Sequence, residues 1–231
     1  MEKNTDFNRR VISKVAEALK ELNNDVVYVG GAVVSLYIDN PAAEDVRPTK
    51  DIDISLSIAT VNQLENIRVR LTKKGFMQSS QDTVICRFRY DDTLVDVMNT
   101  KSIGWAPANP WFAPGFARKE TVEIGNHIIY VLPLPYFLAS KFEAFESRGA
   151  KDPRTSHDFE DIIYVMDNNI NIVETIANAP SDVKPYLVDQ LKNVSQNRVM
   201  QEAIYGNLNF ETRGERFSRI IDCIKSIIQG N

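Results

Sequence analysis

Cysteine is scarce in this 231-residue chain: only Cys86 and Cys223 occur, far apart and without metal-ligand spacing. The simplest reading is a reduced, cytoplasmic protein in which both serve as packing residues. No apolar run approaches the ~18 residues that would span a bilayer, so no membrane partner is expected. The opening MEKNTDFNRR is polar and lacks the apolar stretch of a secretory signal. Excess positive charge is missing too. The formal net charge of −4 argues against broad, non-specific nucleic-acid binding, while leaving room for a local basic patch. It also suits a site that gathers carboxylates around cations. There is no repeat and no low-complexity segment. Neither GxxxxGK[ST] nor GxGxxG occurs, which removes the P-loop and the dinucleotide fingerprint.

What remains is an ordinary globular composition, with 43% apolar and 25% charged residues. The length suffices for one large domain or two small ones sharing a core. Apolar residues at Phe7, Val11, Ile12, Val15, Leu19 and Leu22 repeat with the period of an amphipathic helix. Val26 to Val29 reads as a short buried strand ending at Gly30-Gly31. AVVSLYI then reads as a helix, ended by Pro41, with a polar loop over 40–48. DIDISLS (51–57) alternates as a strand, a helix follows over 60–73, and Gly75 closes it. TVICRFRY and TLVDVM read as two strands joined by a tight Asp91-Asp92 turn. Residues 99–116 hold three prolines, two glycines and two tryptophans without a period, which predicts a long loop. Two strands, near 118–124 and 127–132, meet at Gly125-Asn126. From Pro135 onward the pattern turns helical, over 135–147, 157–167, 171–178, 183–205 and 213–229. The predicted class is α+β: a small mixed β-sheet core flanked by helices over 1–133, then an all-α domain over 134–231.

Asp51 and Asp53 are one residue apart on a predicted strand, so both carboxylates point to one face. Two like charges side by side repel unless a cation sits between them. Mg²⁺ is the natural candidate, since it takes hard oxygen ligands from one or two carboxylates plus substrate phosphates. Asp96 lies inside Leu94-Val95-Asp96-Val97-Met98, where an unpaired Asp is costly to bury. If that strand pairs near DIDIS, Asp96 reaches the same site, and three carboxylates can hold two cations ~4 Å apart. The bland alternatives are a solvated DxD pair and an Asp on an edge strand. Gly30-Gly31 sits at a strand-to-helix turn, where missing Cβ atoms and free N–H groups admit a phosphate. Such turns also use glycine for conformation alone.

The segment Val29-Gly30-Gly31-Ala32, followed by Arg47-Pro48-Thr49-Lys50-Asp51-Ile52-Asp53-Ile54, resembles the nucleotidyltransferases of the DNA polymerase β-like superfamily. More specifically it is similar to the abortive-infection AbiEii-type toxins, and the likeness covers roughly residues 26–170. Farther along, Lys141, Ala144, Phe145 and Arg148 share one helix face. Asp158 and Asp161 share a face of the next helix, where acids in a first turn also suit the helix dipole. The family carries a Lys, an Arg one or two turns later, and an acidic RDxxD motif. Lys141, Arg148, Asp158 and Asp161 match these, while His157 stands where the family has Arg, a place Arg154 could serve.

Together the residues and the resemblance imply a nucleotidyltransferase core with its active site in a cleft toward the helical domain. Mg²⁺ is expected on Asp51, Asp53 and Asp96. An NTP is expected on Gly30, Gly31, Arg47, Thr49, Lys50, Lys141, Arg148 and Asp161. The catalytic set is Asp51, Asp53, Asp96, Lys141 and Asp158, the last organising the site or acting as a base. For Arg47, Thr49 and Lys50 a surface role stays open. The acceptor implied by the resemblance is a tRNA end or a protein hydroxyl, and the role that of a toxin held by an antitoxin. The rivals are a nucleotidyltransferase acting on a small molecule such as an antibiotic, and a non-catalytic binding protein of the same fold. Trp105, Trp111, Phe112 and Phe116 could stack on a base, form a lid or cover the core. Arg213, Arg216 and Arg219 recur along the last helix as a solvated face or a partner surface.

Overall fold

The structure, a computed structural model, describes residues 3–49, 51–149 and 152–230. Lys50 lies outside them. Two compact units divide the chain. One takes residues up to Ser35 together with Asp45–Pro133; the other takes Leu36–Glu44 together with the chain from Leu134 onward.

The first unit holds six strands: β1 (Val26–Val29), β2 (Asp51–Leu56), β3 (Arg87–Tyr90), β4 (Thr93–Asn99), β5 (Glu120–Ile124) and β6 (His127–Val131). They form one mixed sheet in the order β3-β4-β2-β1-β6-β5. β1 lies between β2 and β6, and all four of its residues are buried, as a central strand covered on both faces requires. β2 runs antiparallel to β1 and parallel to β4. Helix α1 (Asn4–Leu19) buries Ile12, Val15 and Leu19 of the predicted stripe, while Phe7 in its first turn is exposed. Its first N–H groups are capped from a distance by Asp45, which accepts from Asn4 N at 2.5 Å and Thr5 N at 2.9 Å. Helix α2 (Val61–Lys73) starts at a capping box, in which Thr60 and Gln63 satisfy each other's backbone donors. No helix among the described residues is long and apolar enough to cross a membrane.

Several local expectations need correction. AVVSLYI forms a 3₁₀ helix, Gly31–Tyr37, and not an α-helix. β3 begins only at Arg87, since Val84 and Ile85 are exposed and find no strand partner. The loop over 99–116 contains a short helix, α3 (Phe112–Phe116), and is pinned at its start. There Asn99 Oδ1 accepts from Ile58 N at 2.8 Å, and its Nδ2 donates to Ile58 O at 3.0 Å. Trp105 donates to Glu65 at 2.9 Å and its ring lies 5.6 Å from Phe88, so this aromatic covers the core.

The second unit is built from α4 (Leu134–Gly149), α5 (His157–Asn168), α6 (Ile172–Ala177), α7 (Lys184–Gln196), α8 (Arg198–Asn207) and α9 (Arg213–Gln229). The single helix expected over 183–205 is two, because Asn197 accepts from Val199 N and Met200 N and caps α8 afresh. Leu36–Glu44 is stitched into this unit by polar contacts that no periodicity signals. Asp39 N and Asn40 N donate to Asn168 O, and Asn169 Nδ2 donates to Tyr37 O at 2.7 Å. The Tyr37 ring stacks on Phe137 at 4.2 Å.

The α9 arginine stripe is neither a plain solvated face nor an open surface. Arg216 and Arg219 both grip Asp167, whose side chain is 1% exposed, and Arg216 also reaches Glu44 at 3.1 Å. Arg213 stacks on the rings of Tyr205 and Phe210. Removing one partner of a buried ion pair strands the other charges. Asp167→Ala should therefore cost about 3 kcal/mol. Asp189→Ala, which breaks the exposed pair with Lys192, should cost under about 0.5 kcal/mol. Urea unfolding followed by circular dichroism at the helical band checks both; equal effects would contradict the assignment.

Candidate active site

β2 and β4 run side by side and parallel, with Asp53 opposite Asp96 and Asp51 opposite Leu94. Alternation puts Asp51 and Asp53 on one face of β2, and the register sets Asp96 beside Asp53 on that face. The opposite face carries Ile52, Ile54, Val95 and Val97, all buried. The structure thus brings the three acids together, and the apolar residues between them hold both strands in place. Asp96 is 7% exposed, so its charge needs a partner.

That partner is Arg87, a residue the sequence reading missed. Arg87 faces Asp96 across the antiparallel β3–β4 pair. Its Nε donates to Asp96 Oδ1 at 2.7 Å and its Nη2 to Asp96 Oδ2 at 2.7 Å. The same Nη2 donates to Asp51 Oδ2 at 2.9 Å. These hydrogen bonds to Asp96, partly opposed by burial, raise the Arg87 pKa further, so the guanidinium stays charged. The signal was in the sequence. A two-residue turn at Asp91-Asp92 pairs Tyr90 with Thr93, and three residues back on each arm stand Arg87 and Asp96. Cys86, next in the chain, is buried, and burial together with nearby Asp96 pushes its thiol pKa up to about 11. It is a packing residue, not a nucleophile.

The glycines lie against the same acids. Gly30 has φ +73°, and a Cβ there would stand 1.8 Å from Asp53 Oδ2. A Cβ on Gly31 would meet Arg47 Nη2 at 2.4 Å and Thr49 Oγ1 at 3.4 Å. Gly30, Gly31, Arg47, Thr49, Asp51, Asp53 and Asp96 are therefore neighbours in one place. The 3₁₀ helix that Gly31 opens is only seven residues long, so any anion site here rests on close backbone approach and Arg47 more than on a helix dipole. A cavity of about 570 Å³ opens at the Asp51 end of β2, lined among others by Phe7, Asn8, Lys14 and Thr49; Asp53, Asp96, Gly30 and Gly31 do not line it.

Hard carboxylate oxygens on one face of adjacent strands are the donor chemistry Mg²⁺ takes. As they stand, Asp51 and Asp96 converge on a guanidinium. Among the described residues no group of three or more His, Cys, Asp or Glu side chains is arranged to hold a metal ion. The strand register gathers oxygen donors of the kind the ion takes, while the side chains as placed are arranged around the arginine.

In the helical unit, Lys141, Asp158, Asp161 and Arg148 also come together. Lys141 Nζ lies 3.1 Å from Asp158 Oδ1 and 2.6 Å from Asp161 Oδ2, and all three side chains are buried. Burial alone would lower the Lys141 pKa, but the two carboxylates outweigh it and the pKa is raised. Arg148 Nη1 stands 3.7 Å from Asp158 Oδ2 with 68% of its side chain exposed, so it is the cation of this cluster that meets solvent. His157 pairs with Glu160, and Arg154 is held by Asp152 at 2.8 Å.

No family model and no curated protein matches the chain. Among solved structures it is similar to an antigenic nucleotidyltransferase-like protein from Paracoccidioides brasiliensis. The identity is 17% and the TM-score 0.49, covering 90% of this chain and 96% of that one.

The two glycines should respond differently to a methyl group. Gly30→Ala places a Cβ on Asp53 and forces a left-handed backbone that costs roughly 1–2 kcal/mol by itself. Gly31→Ala meets the far end of the Arg47 side chain and, at 3.4 Å, Thr49 Oγ1, with no left-handed backbone to strain. Thermal unfolding should therefore show a clear loss for Gly30→Ala and a small one for Gly31→Ala; the reverse order would refute the packing described.

Proposed function

We propose that the chain is a Mg²⁺-dependent nucleotidyltransferase that moves a nucleoside monophosphate from an NTP to an acceptor hydroxyl and releases pyrophosphate. The observation that carries this reading is the pairing of Asp53 with Asp96 across β2 and β4, with Asp51 on the same face and Gly30 packed against Asp53. Three acids on one face of a buried sheet, beside backbone without Cβ atoms, favour a cation–polyphosphate complex over an apolar ligand.

Asp51, Asp53 and Asp96 would hold the metal, which when bound supplies positive charge to the triphosphate and the leaving pyrophosphate. The missing Cβ atoms of Gly30 and Gly31 admit the Asp53 carboxylate and the Arg47 guanidinium, and Arg47 and Thr49 would offer a phosphate donors. The acceptor oxygen bonds to the α-phosphorus as the bond from that phosphorus to the bridging oxygen breaks. Pyrophosphate departs with the electron pair, and the acceptor proton passes to a carboxylate or to water. Little else is asked of the protein than positioning and electrostatics. In the helical unit, Asp158 is the acid that the Lys141–Asp161 pair orients, and Arg148 is the cation presented to an anion. A tRNA end or a protein hydroxyl as acceptor, and an antitoxin partner, rest on the sequence resemblance alone.

One observation favours a second reading, a binding protein without catalysis: the Arg87 guanidinium already pairs with both Asp51 and Asp96. A transfer assay separates the two. Purified protein is incubated with Mg²⁺, each α-phosphate-labelled NTP in turn, and total tRNA plus its own polypeptide as acceptors. Label should appear on one acceptor class. It should fall at least about a hundredfold in Asp51→Ala/Asp53→Ala protein and on chelation of Mg²⁺. No transfer with any NTP to tRNA, to the polypeptide or to added small-molecule alcohols would sink the enzymatic reading.

A further inference from the structure

The contact between Arg87 and the two acids is more than a local ion pair. It uses both oxygens of Asp96 and one of Asp51, the atoms a metal ion at this place would need. We propose that Arg87 is a built-in competitor of the divalent cation: its guanidinium holds Asp51 and Asp96 and must give them up for the acids to bind a metal together. This rests on the reading of the three acids as a cation site.

The physical case has three parts. First, a planar guanidinium matches a carboxylate through two parallel N–H donors, and its geometry here is bidentate, so it is a strong rival and not a passing neighbour. Second, a guanidinium and a divalent ion repel at this range, so each weakens the other's hold on shared oxygens. Third, the rival serves the fold. Asp96 is nearly buried and would be stranded without a cation. Arg87 fills that need from the neighbouring strand and keeps the strand pair intact when no metal is bound. Its side chain is 20% exposed, so part of it already faces solvent. Deprotonation cannot release it, because guanidinium stays charged at any pH at which a protein folds. Metal must therefore displace it by mass action.

Arg89 provides the control. It lies two residues along the same strand and carries the same charge, but it pairs with Asp82 and not with Asp51 or Asp96. If Arg87 acts only through bulk electrostatics, removing either arginine should strengthen metal binding alike. If it acts by occupying the ligand oxygens, only Arg87 should matter.

The test is Mn²⁺ binding to the full chain by titration calorimetry, with unfolding temperature measured with and without the ion. Arg87→Gln should bind Mn²⁺ at least tenfold tighter than the parent protein, about 1.4 kcal/mol, and gain more unfolding temperature from it. Arg89→Gln should stay within about twofold of the parent. Arg87→Lys keeps the charge without the fork and should fall between parent and Arg87→Gln; it also serves if Arg87→Gln does not fold. Parent protein that binds Mn²⁺ as tightly as the Arg87 variants would overturn the competitor and leave the carboxylate site standing. No binding by parent or variants would overturn both. Binding that survives Asp96→Asn unchanged would place the metal elsewhere and overturn both as well.

Discussion

Everything at the candidate site depends on the parallel pairing of β2 with β4. That pairing sets Asp53 against Asp96 and keeps Asp51 on the same face. Strand side chains alternate, so a slip of one residue would send Asp96 into the apolar layer and Val95 or Val97 to the acids. The register is held because Ile52, Ile54, Val95 and Val97 have only one buried face to occupy. The hydrophobic side of the two strands thus fixes the geometry of their charged side. β3 completes the arrangement through the tight turn after Tyr90, which delivers Arg87 to Asp96 without any long-range search.

The pairing concentrates negative charge, and the surroundings show how that charge is managed. Arg87 pairs with two of the acids and offsets part of their charge. Gly30 is shaped around the third, with a backbone conformation and a clearance only glycine supplies. The helical unit solves a like problem with Lys141 set between Asp158 and Asp161. In both places a buried carboxylate is tolerated because a cation lies within hydrogen-bonding range.

Much of this was legible in the sequence. The strand Val26–Val29, helix Arg213–Gln229 and the start of β2 at Asp51 follow from periodicity and turn residues. So does the closeness of Asp96 to DIDIS, once the two strands are paired. What escaped was set by tertiary polar contacts. Leu36–Glu44 joins the helical unit through Asn168, Asn169 and Arg216, none of which leaves a periodic trace. The break at Asn197 depends on a side-chain cap inside an unbroken apolar pattern. Arg87 was readable from hairpin register but hidden by a strand pattern that extended β3 too far upstream. Arg216 and Arg219 looked solvated because their partner, Asp167, lies about fifty residues away in sequence.

Anomalous diffraction from crystals grown with Mn²⁺ and a non-hydrolysable NTP tests whether the acids of β2 and β4 form a metal-dependent nucleotide site. The expected result is a manganese peak ligated by Asp51, Asp53 and Asp96, with the triphosphate beside Gly30 and Gly31 and the Arg87 guanidinium withdrawn from both Asp51 and Asp96. Bound nucleotide elsewhere, or Arg87 still bridging Asp51 and Asp96 with no manganese beside them, would contradict it.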